Sequence, residues 1–174
     1  MTDFQLHTEK VGSSYRIFLL ILAVFVLGAD QLSKSIVVTH IEPYTSLPFL
    51  PHWNWVLAFN TGAAFSFLHD PNGWYKYGFL VFTAIVSVGL IYYILSRHYH
   101  KVIGLGYAFI LGGAMGNLTD RIIRGKVVDF IDWYAGSYHW PSFNVADSCV
   151  LTGVVLIFLT VQVTGANNNV AKKS

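Results

Sequence analysis

Tyr77 to Ser96 is a run of twenty residues without a charge, and Val102 to Thr119 adds eighteen more. About 20 apolar residues in a helix cross the hydrocarbon core of a bilayer. Two further stretches complete the pattern. Ile17 to Ala29 holds thirteen uncharged residues, too few to span alone, but the apolar character resumes at Ser35-Ile36-Val37-Val38. The first span is therefore 17–38, with Asp30 and Lys34 inside it. Ser148 to Ala171 lacks charge and carries the last span, 145–163. Only 11% of the chain is charged, against about 25% in an ordinary soluble domain, and the mean hydropathy is +0.51. The chain reads as an integral membrane protein, a single domain over 1–174 with helices at 17–38, 77–96, 102–119 and 145–163. A cleavable signal peptide is disfavoured, because no small-residue cleavage site follows Arg16 and the first run continues through charges. No basic tract of the kind that binds nucleic acid is present. Cys149 is the only cysteine, which leaves no partner for an intramolecular disulfide.

Met1 to Ser14 is polar and unpatterned, as in a loosely ordered tail. His40 to Asn72 cannot be helical throughout, because Pro43, Pro48 and Pro51 interrupt it. Within it Trp53, Trp55, Leu57 and Phe59 alternate with His52, Asn54, Val56, Ala58 and Asn60, the period of a strand with one apolar face. Asn60-Thr61-Gly62-Ala63-Ala64-Phe65 ends that strand, either as an ordinary turn or as a place where an extended substrate lies against the backbone. His98 and His100 sit in the connection Arg97 to Lys101. With no third ligand nearby they read as part of a solvated basic loop, and no metal or cofactor is expected.

The few charges are placed unevenly. Asp129 follows Val127 and Val128; Asp147 opens the last span; Trp133, Tyr134, Tyr138, His139 and Trp140 lie between. An ionised carboxylate is costly in hydrocarbon, so acids there pair, line a wet cavity or do chemistry, unless both simply lie in headgroup water. Asp30 and Lys34 share a helix face, either as structural support or as direct participants. Gly113, Asn117 and Arg121 recur every four residues beside the small-residue ridge Ala108, Gly112 and Gly116, which lets helices approach closely. Asp120 caps or pairs locally. Arg121 is either a fork for a carboxylate or carbonyl or, with Arg124, an interfacial anchor. Asn144 and Asp147 are three apart and share a face. Four spans put both termini on one side with Lys10, Arg16, Arg97, Lys101, Lys172 and Lys173, against Lys76, Arg121, Arg124 and Lys126 on the other, a bias toward cytoplasmic termini.

Two adjacent carboxylates do not both ionise easily. The charged one can activate water while the protonated one polarises a carbonyl and protonates the leaving amine. That chemistry hydrolyses an amide without metal, thiol or activated serine. Ser33 and Lys34 are adjacent and so about 100° apart on a helix, a poor serine–lysine dyad. Two other classes remain on composition: a transporter or channel with an acidic ion path, and a membrane scaffold using the small-residue ridge.

The segments Asp30-Gln-Leu-Ser-Lys34, Asn60-Thr-Gly-Ala-Ala-Phe65, Gly112-Gly-Ala-Met-Gly-Asn-Leu-Thr-Asp-Arg121, Val127-Val-Asp-Phe130 and Phe143-Asn-Val-Ala-Asp147 resemble, in order, the motif set of lipoprotein signal peptidase (signal peptidase II), from about Arg16 to Val163. The resemblance implies an intramembrane aspartic endopeptidase of the bacterial inner membrane. It would cut prolipoproteins on the N-terminal side of a diacylglyceryl-modified cysteine. It implies Asp129 and Asp147 as the catalytic pair, Asn60, Gly62, Asn117, Arg121 and Asn144 as substrate-positioning residues, and Asp30, Lys34 and Asp120 as support. It further implies a four-helix transmembrane bundle, a β-cradle within 40–72 on the extracytoplasmic face, and a short outer helix or lid at 131–140. Sensitivity to the cyclic peptide globomycin follows, as do membrane lipids as surroundings and action as a monomer.

Overall fold

The computed structural model describes residues 9–61, 74–96 and 98–171. Four helices run through it: α1 (Ser13–His40), α2 (Trp74–Leu95), α3 (Lys101–Arg124) and α4 (Val145–Ala171). All four contain a stretch long and apolar enough to cross a membrane. Without water in the hydrocarbon, backbone groups must be satisfied within the segment, and helix does this. At about 1.5 Å per residue, α1 with its 28 residues is longer than the hydrocarbon core and projects beyond it. Each expected span is present, and each helix is longer than its apolar run.

Helix α3 lies at the centre, packed against α1, α2 and α4. Its glycines make this possible. A Cβ on Gly112 would stand 2.6 Å from the Ala23 carbonyl oxygen and from Val26 Cβ of α1. On the other side a Cβ on Gly113 would overlap the Ala146 carbonyl of α4. The two adjoining ridges read from the sequence therefore serve two interfaces, Gly112 facing α1 and Gly113 facing α4. Lipid-facing surfaces stay apolar: Phe25 and Leu32 on α1, Phe82 and Val88 on α2, and Leu151 and Phe158 on α4 are all exposed. Helix α3 ends at Gly125, whose φ of 69° is the left-handed conformation that suits a helix C-cap.

At one end of the bundle sits a four-stranded antiparallel sheet. Its strands are β2 (Ser46–Leu50), β3 (Trp53–Asn60), β5 (Val127–Ala135) and β6 (Tyr138–His139), in the order β2-β3-β5-β6. The alternating segment from Trp53 is indeed a strand, with a bulge between Trp55 and Ala58. In register Asn60 lies opposite Val127, Ala58 opposite Asp129 and Asn54 opposite Asp132. Val37, Leu57, Val128 and Phe130 form the buried cluster that fixes the sheet to α1.

Three expectations change. The stretch 131–140 is not an outer helix: it is the second half of β5, a Gly136-Ser137 turn and β6. Pairing of Trp53, Asn54 and Trp55 with Trp133, Asp132 and Ile131 supplies the hydrogen bonds a helix would have made internally. The β-cradle is likewise not confined to 40–72, since β5 and β6 complete it. Nor is the whole N-terminal stretch loose. Residues Glu9–Lys10 form β1, which pairs with β4 (His98–Tyr99), and α1 begins at Ser13. This second sheet closes the opposite end of the bundle, beside a cluster of Val11, Leu19, Ala23, Ile94, Tyr99, Ala108 and Leu111. His100 is the N-cap of α3, its ring nitrogen accepting from the Val102 N–H.

Candidate active site

The site is assembled where α4 begins. Asn144 is the N-cap: its Oδ1 accepts the Asp147 N–H at 2.9 Å, and the Asp147 Oδ2 accepts the Asn144 N–H at 3.2 Å. This reciprocal capping places Asp147 in the first turn of α4, where the helix dipole favours a negative charge. Asp129 comes from the middle of β5, between the fully buried Val128 and Phe130, and is itself 4% exposed.

Asn144 connects the two carboxylates. Its side-chain Nδ2 lies 2.7 Å from Asp129 Oδ1, while its main-chain N–H reaches Asp147. The Asn144 amide has one permitted orientation, because its Oδ1 accepts from a backbone N–H. Asn117, on α3, donates from Nδ2 to Asp147 Oδ1 at 2.8 Å. Asn60, at the end of β3, hydrogen-bonds Asp129. Burial above all, then repulsion from Asp147, pushes the Asp129 carboxyl up to about 7, against the opposing pull of Asn60, Asn144 and the Lys34 charge. One carboxylate thus faces obligate donors on both oxygens, and the other is set to hold a proton near neutrality.

Behind the pair lies a buried ionic network. Lys34 Nζ is 2.8 Å from Asp30 Oδ2, 3.0 Å from Asp120 Oδ2 and 2.9 Å from Asn117 Oδ1. Asp30 Oδ1 accepts the Ala146 N–H in the first turn of α4 at 2.9 Å, and Asp120 Oδ2 accepts the Val128 N–H at 3.0 Å. Asp120 is also paired with Arg124 one turn on. Each acid therefore fixes the backbone beside one member of the pair. Gln31 ties the network together through Asp30, Asp120, Arg124 and the Gly116 carbonyl.

Every expected site residue among those described is brought to this end of the bundle; Gly62 and Phe65 lie outside the described residues. Arg121 is half-buried, its Nη1 donating to the Asn117 carbonyl at 3.2 Å and its guanidinium 5.5 Å from the Phe79 ring centroid. Its charge is within electrostatic reach of Asp147 and Asp129. Gln31 was not singled out by the sequence, although its place beside Asp30 was a signal. Nor was Lys126, which stands 3.4 Å from the Phe59 ring centroid. Asn54, Asp132 and His139 form a separate cluster on the sheet, with Asp132 bound by Asn54 at 2.8 Å and by His139 at 2.8 Å. No sequence spacing reveals it, because it depends on the β3–β5 register.

A cavity of about 650 Å³ leads to the pair, lined by Trp133, Trp140, Phe143, Asp147, Ser148, Leu151 and Thr152. Apart from Asp147 its lining is mostly apolar, with the hydroxyls of Ser148 and Thr152 and the indoles of Trp133 and Trp140, so an apolar chain can run along α4 and end at a carboxylate. A smaller cavity of about 170 Å³ lies on the other flank, between Asn60, Phe79, Arg121 and Lys126. Among the described residues no three His, Cys, Asp or Glu side chains gather as a metal cage. Among the described residues the buried acids Asp30, Asp120, Asp129 and Asp132 gather with Asp147 at one end of the bundle.

Fold and site together describe an integral membrane protein that holds two carboxylates at one end of its bundle. A family profile described as signal peptidase (SPase) II matches residues 22–163. The lipoprotein signal peptidase of Xanthomonas oryzae pv. oryzae (strain PXO99A) is 47% identical over 139 residues, 78% of this chain and 83% of that one. The lipoprotein signal peptidase of Xylella fastidiosa (strain M12) is 44% identical over 143 residues, 80% of this chain and 85% of the relative. Among solved structures, a bacterial membrane enzyme determined by the in meso method at 2.3 Å resolution aligns with a TM-score of 0.76 and 32% identity, over 94% of this chain and 96% of that chain. This chain belongs to the signal peptidase II family.

Proposed function

We infer that the chain is the aspartic endopeptidase that removes signal peptides from bacterial prolipoproteins, cutting on the N-terminal side of a diacylglyceryl-modified cysteine. The observation that carries the assignment of the catalytic pair is Asn144, which bonds Asp129 with its side chain and Asp147 with its backbone. A single buried residue thereby holds two acids in register.

Asp147 acts as general base. It takes a proton from water as the water oxygen attacks the scissile carbonyl carbon, while protonated Asp129 donates to the carbonyl oxygen. The resulting tetrahedral gem-diol collapses as Asp147 passes its proton to the amide nitrogen, ionised Asp129 takes back a hydroxyl proton and the C–N bond breaks. These transfers leave Asp147 ionised and Asp129 protonated, the starting state. Asn60 and Arg121 flank the path of the extended substrate, where β3 ends.

The lipid sets the depth of the cut. Each acyl CH₂ adds about 0.8 kcal/mol of membrane affinity, so a diacylglyceryl pair holds the cysteine at the bilayer boundary. The apolar cavity along α4 takes the substrate from the side, and globomycin competes for the same cleft. The active site lies at the outer face of the cytoplasmic membrane and the termini are cytoplasmic: Lys10, Arg16 and Lys101 mark the β1–β4 end, and Arg16 is fastened there to the Leu95 carbonyl. Among the described residues both acids and the groups that hold them come from one chain, which supports action as a monomer. Cleavage by the purified chain should be far faster for a diacylglyceryl-modified prolipoprotein than for the same polypeptide without lipid. Equal rates, or a cut elsewhere, would overturn the reading.

A further inference from the structure

Lys34 makes its three hydrogen bonds without reaching either member of the carboxylate pair. An ammonium has three N–H donors and no acceptor, and here the three go to Asp30, Asp120 and the Asn117 Oδ1. Two of these are charge partners. The third is an amide, and it decides which way that amide faces. Only an oxygen can lie 2.9 Å from a donor-only group, so Asn117 presents Oδ1 to Lys34. The Asn144 Nδ2, 3.2 Å away, supplies that oxygen with a second donor. Asn117 must then present its NH₂ to Asp147, at 2.8 Å from Oδ1. The other Asp147 oxygen meets the Asn144 main-chain N–H, again a donor only. At both of these contacts Asp147 can only accept, which favours its ionised form.

We propose that Lys34 is a positioning residue for the reaction: by fixing the orientation of the Asn117 amide it holds Asp147 as the ionised member of the pair and therefore as the base. The proposal rests on the catalytic assignment of Asp129 and Asp147 and adds a cause of their asymmetry beside the α4 dipole and the Arg121 charge. The other charged groups around Asn117 and Asp147 do not set the orientation of the amide. Asp129 lies on β5 and is bound by Asn144. Arg121 on α3 attracts the Asp147 charge but donates to the Asn117 main-chain carbonyl, not to the amide. Arg124 is turned onto Asp120 and Gln31, Lys126 onto Phe59, and Asp132 is held by Asn54 and His139. Without Lys34 only the Asn144 Nδ2, which also serves Asp129 and the Val128 carbonyl, holds the Asn117 Oδ1; the amide can then turn Oδ1 toward Asp147, and Asp147 keeps a proton.

The test is the acidic limb of the kcat/KM pH profile, measured on the full chain with a diacylglyceryl-modified prolipoprotein. Lys34→Met is combined with Asp30→Asn so that no carboxylate is stranded. Asp120 keeps Arg124, and the amide oxygen introduced by Asp30→Asn still accepts the Ala146 N–H. A second variant, Asn117→Asp, keeps the acceptor facing Lys34 but replaces the donor facing Asp147 with another acceptor. In both the limb should move to higher pH by about one unit or more, so that activity on the acidic side falls about tenfold relative to each variant's own plateau. Carboxylate ¹³C chemical shifts should show Asp147 gaining its proton at correspondingly higher pH, independent of turnover. Limbs that superimpose on wild type, or a uniform loss at every pH, would overturn the proposal. If the double variant does not fold, Asn117→Asp alone decides. Asp147→Asn serves as the control: turnover that survives it would sink the catalytic pair itself, a different failure from an unmoved limb.

Discussion

Replacing Asp129 with asparagine should remove most of the pH dependence of this protein's stability between about pH 4 and 7. The aspartate is 4% exposed, and burial followed by the Asp147 charge raises it from 3.8 to about 7. The folded state therefore keeps a proton that the unfolded chain gives up near 3.8. This contribution to stability is fully present below that value and is lost as pH rises through 7. At about 1.4 kcal/mol per pH unit the loss amounts to about 4 kcal/mol, of which about 2 falls between pH 5 and 7. Asparagine carries no charge to bury. Its amide meets the Asn60 and Asn144 donors less well, which costs about 1–2 kcal/mol. Above neutrality the variant should therefore be the more stable protein by about 2–3 kcal/mol, and below pH 5 the wild type should lead. For a chain of this length that corresponds to about 5–10 °C in midpoint. Thermal unfolding followed by tryptophan fluorescence, in one detergent at fixed ionic strength across pH, reads this directly. Asp147→Asn should weaken the wild-type slope without abolishing it, because burial is the larger cause and repulsion the smaller. Parallel curves for wild type and Asp129→Asn would mean that Asp129 is ionised throughout, and the general-acid role would fall with it.

Two other substitutions probe the bundle and the entry route. Gly112→Leu should destabilise the protein by about 1–3 kcal/mol or more, because its side chain would meet the Ala23 carbonyl, whereas Gly89→Leu on α2 meets nothing within 4 Å and should be neutral; paired thermal melts compare them, and equal melts would contradict the α1–α3 close approach. Leu151→Trp fills the cavity beside Asp147, so KM for a lipidated substrate should rise severalfold with kcat and melting midpoint little changed; an unchanged KM would remove that cavity from the substrate path.

The parts legible in the sequence are those that the membrane itself constrains. Four apolar runs gave four helices because hydrocarbon tolerates little else. Asp129 and Asp147 stood out because acids are scarce there. The strand from Trp53 announced itself by alternation. The stretch 131–140 did not: its aromatic residues fit more than one pattern, and its pairing is set by β3, nearly eighty residues earlier, as in Asn54 with Asp132. One local signal was available, since Gly136-Ser137 between two short runs is a hairpin turn. Asp30 and Lys34 were legible as an i, i+4 pair, but the partners that give Lys34 its meaning, Asn117 and Asp120, lie more than eighty residues away. Their proximity depends on Gly112 and Gly116 letting α1 and α3 come together, and one face of a helix wheel does not predict which face of another it meets.

The central claim is that two aspartates held by one asparagine hydrolyse the prolipoprotein signal peptide bond. Its most direct test is cleavage of a diacylglyceryl-modified prolipoprotein by wild type, Asp129→Asn and Asp147→Asn, each purified and shown to be folded in the same detergent. Wild type should cut just before the modified cysteine, and both variants should lose essentially all turnover. Near wild-type turnover in either variant would contradict the account.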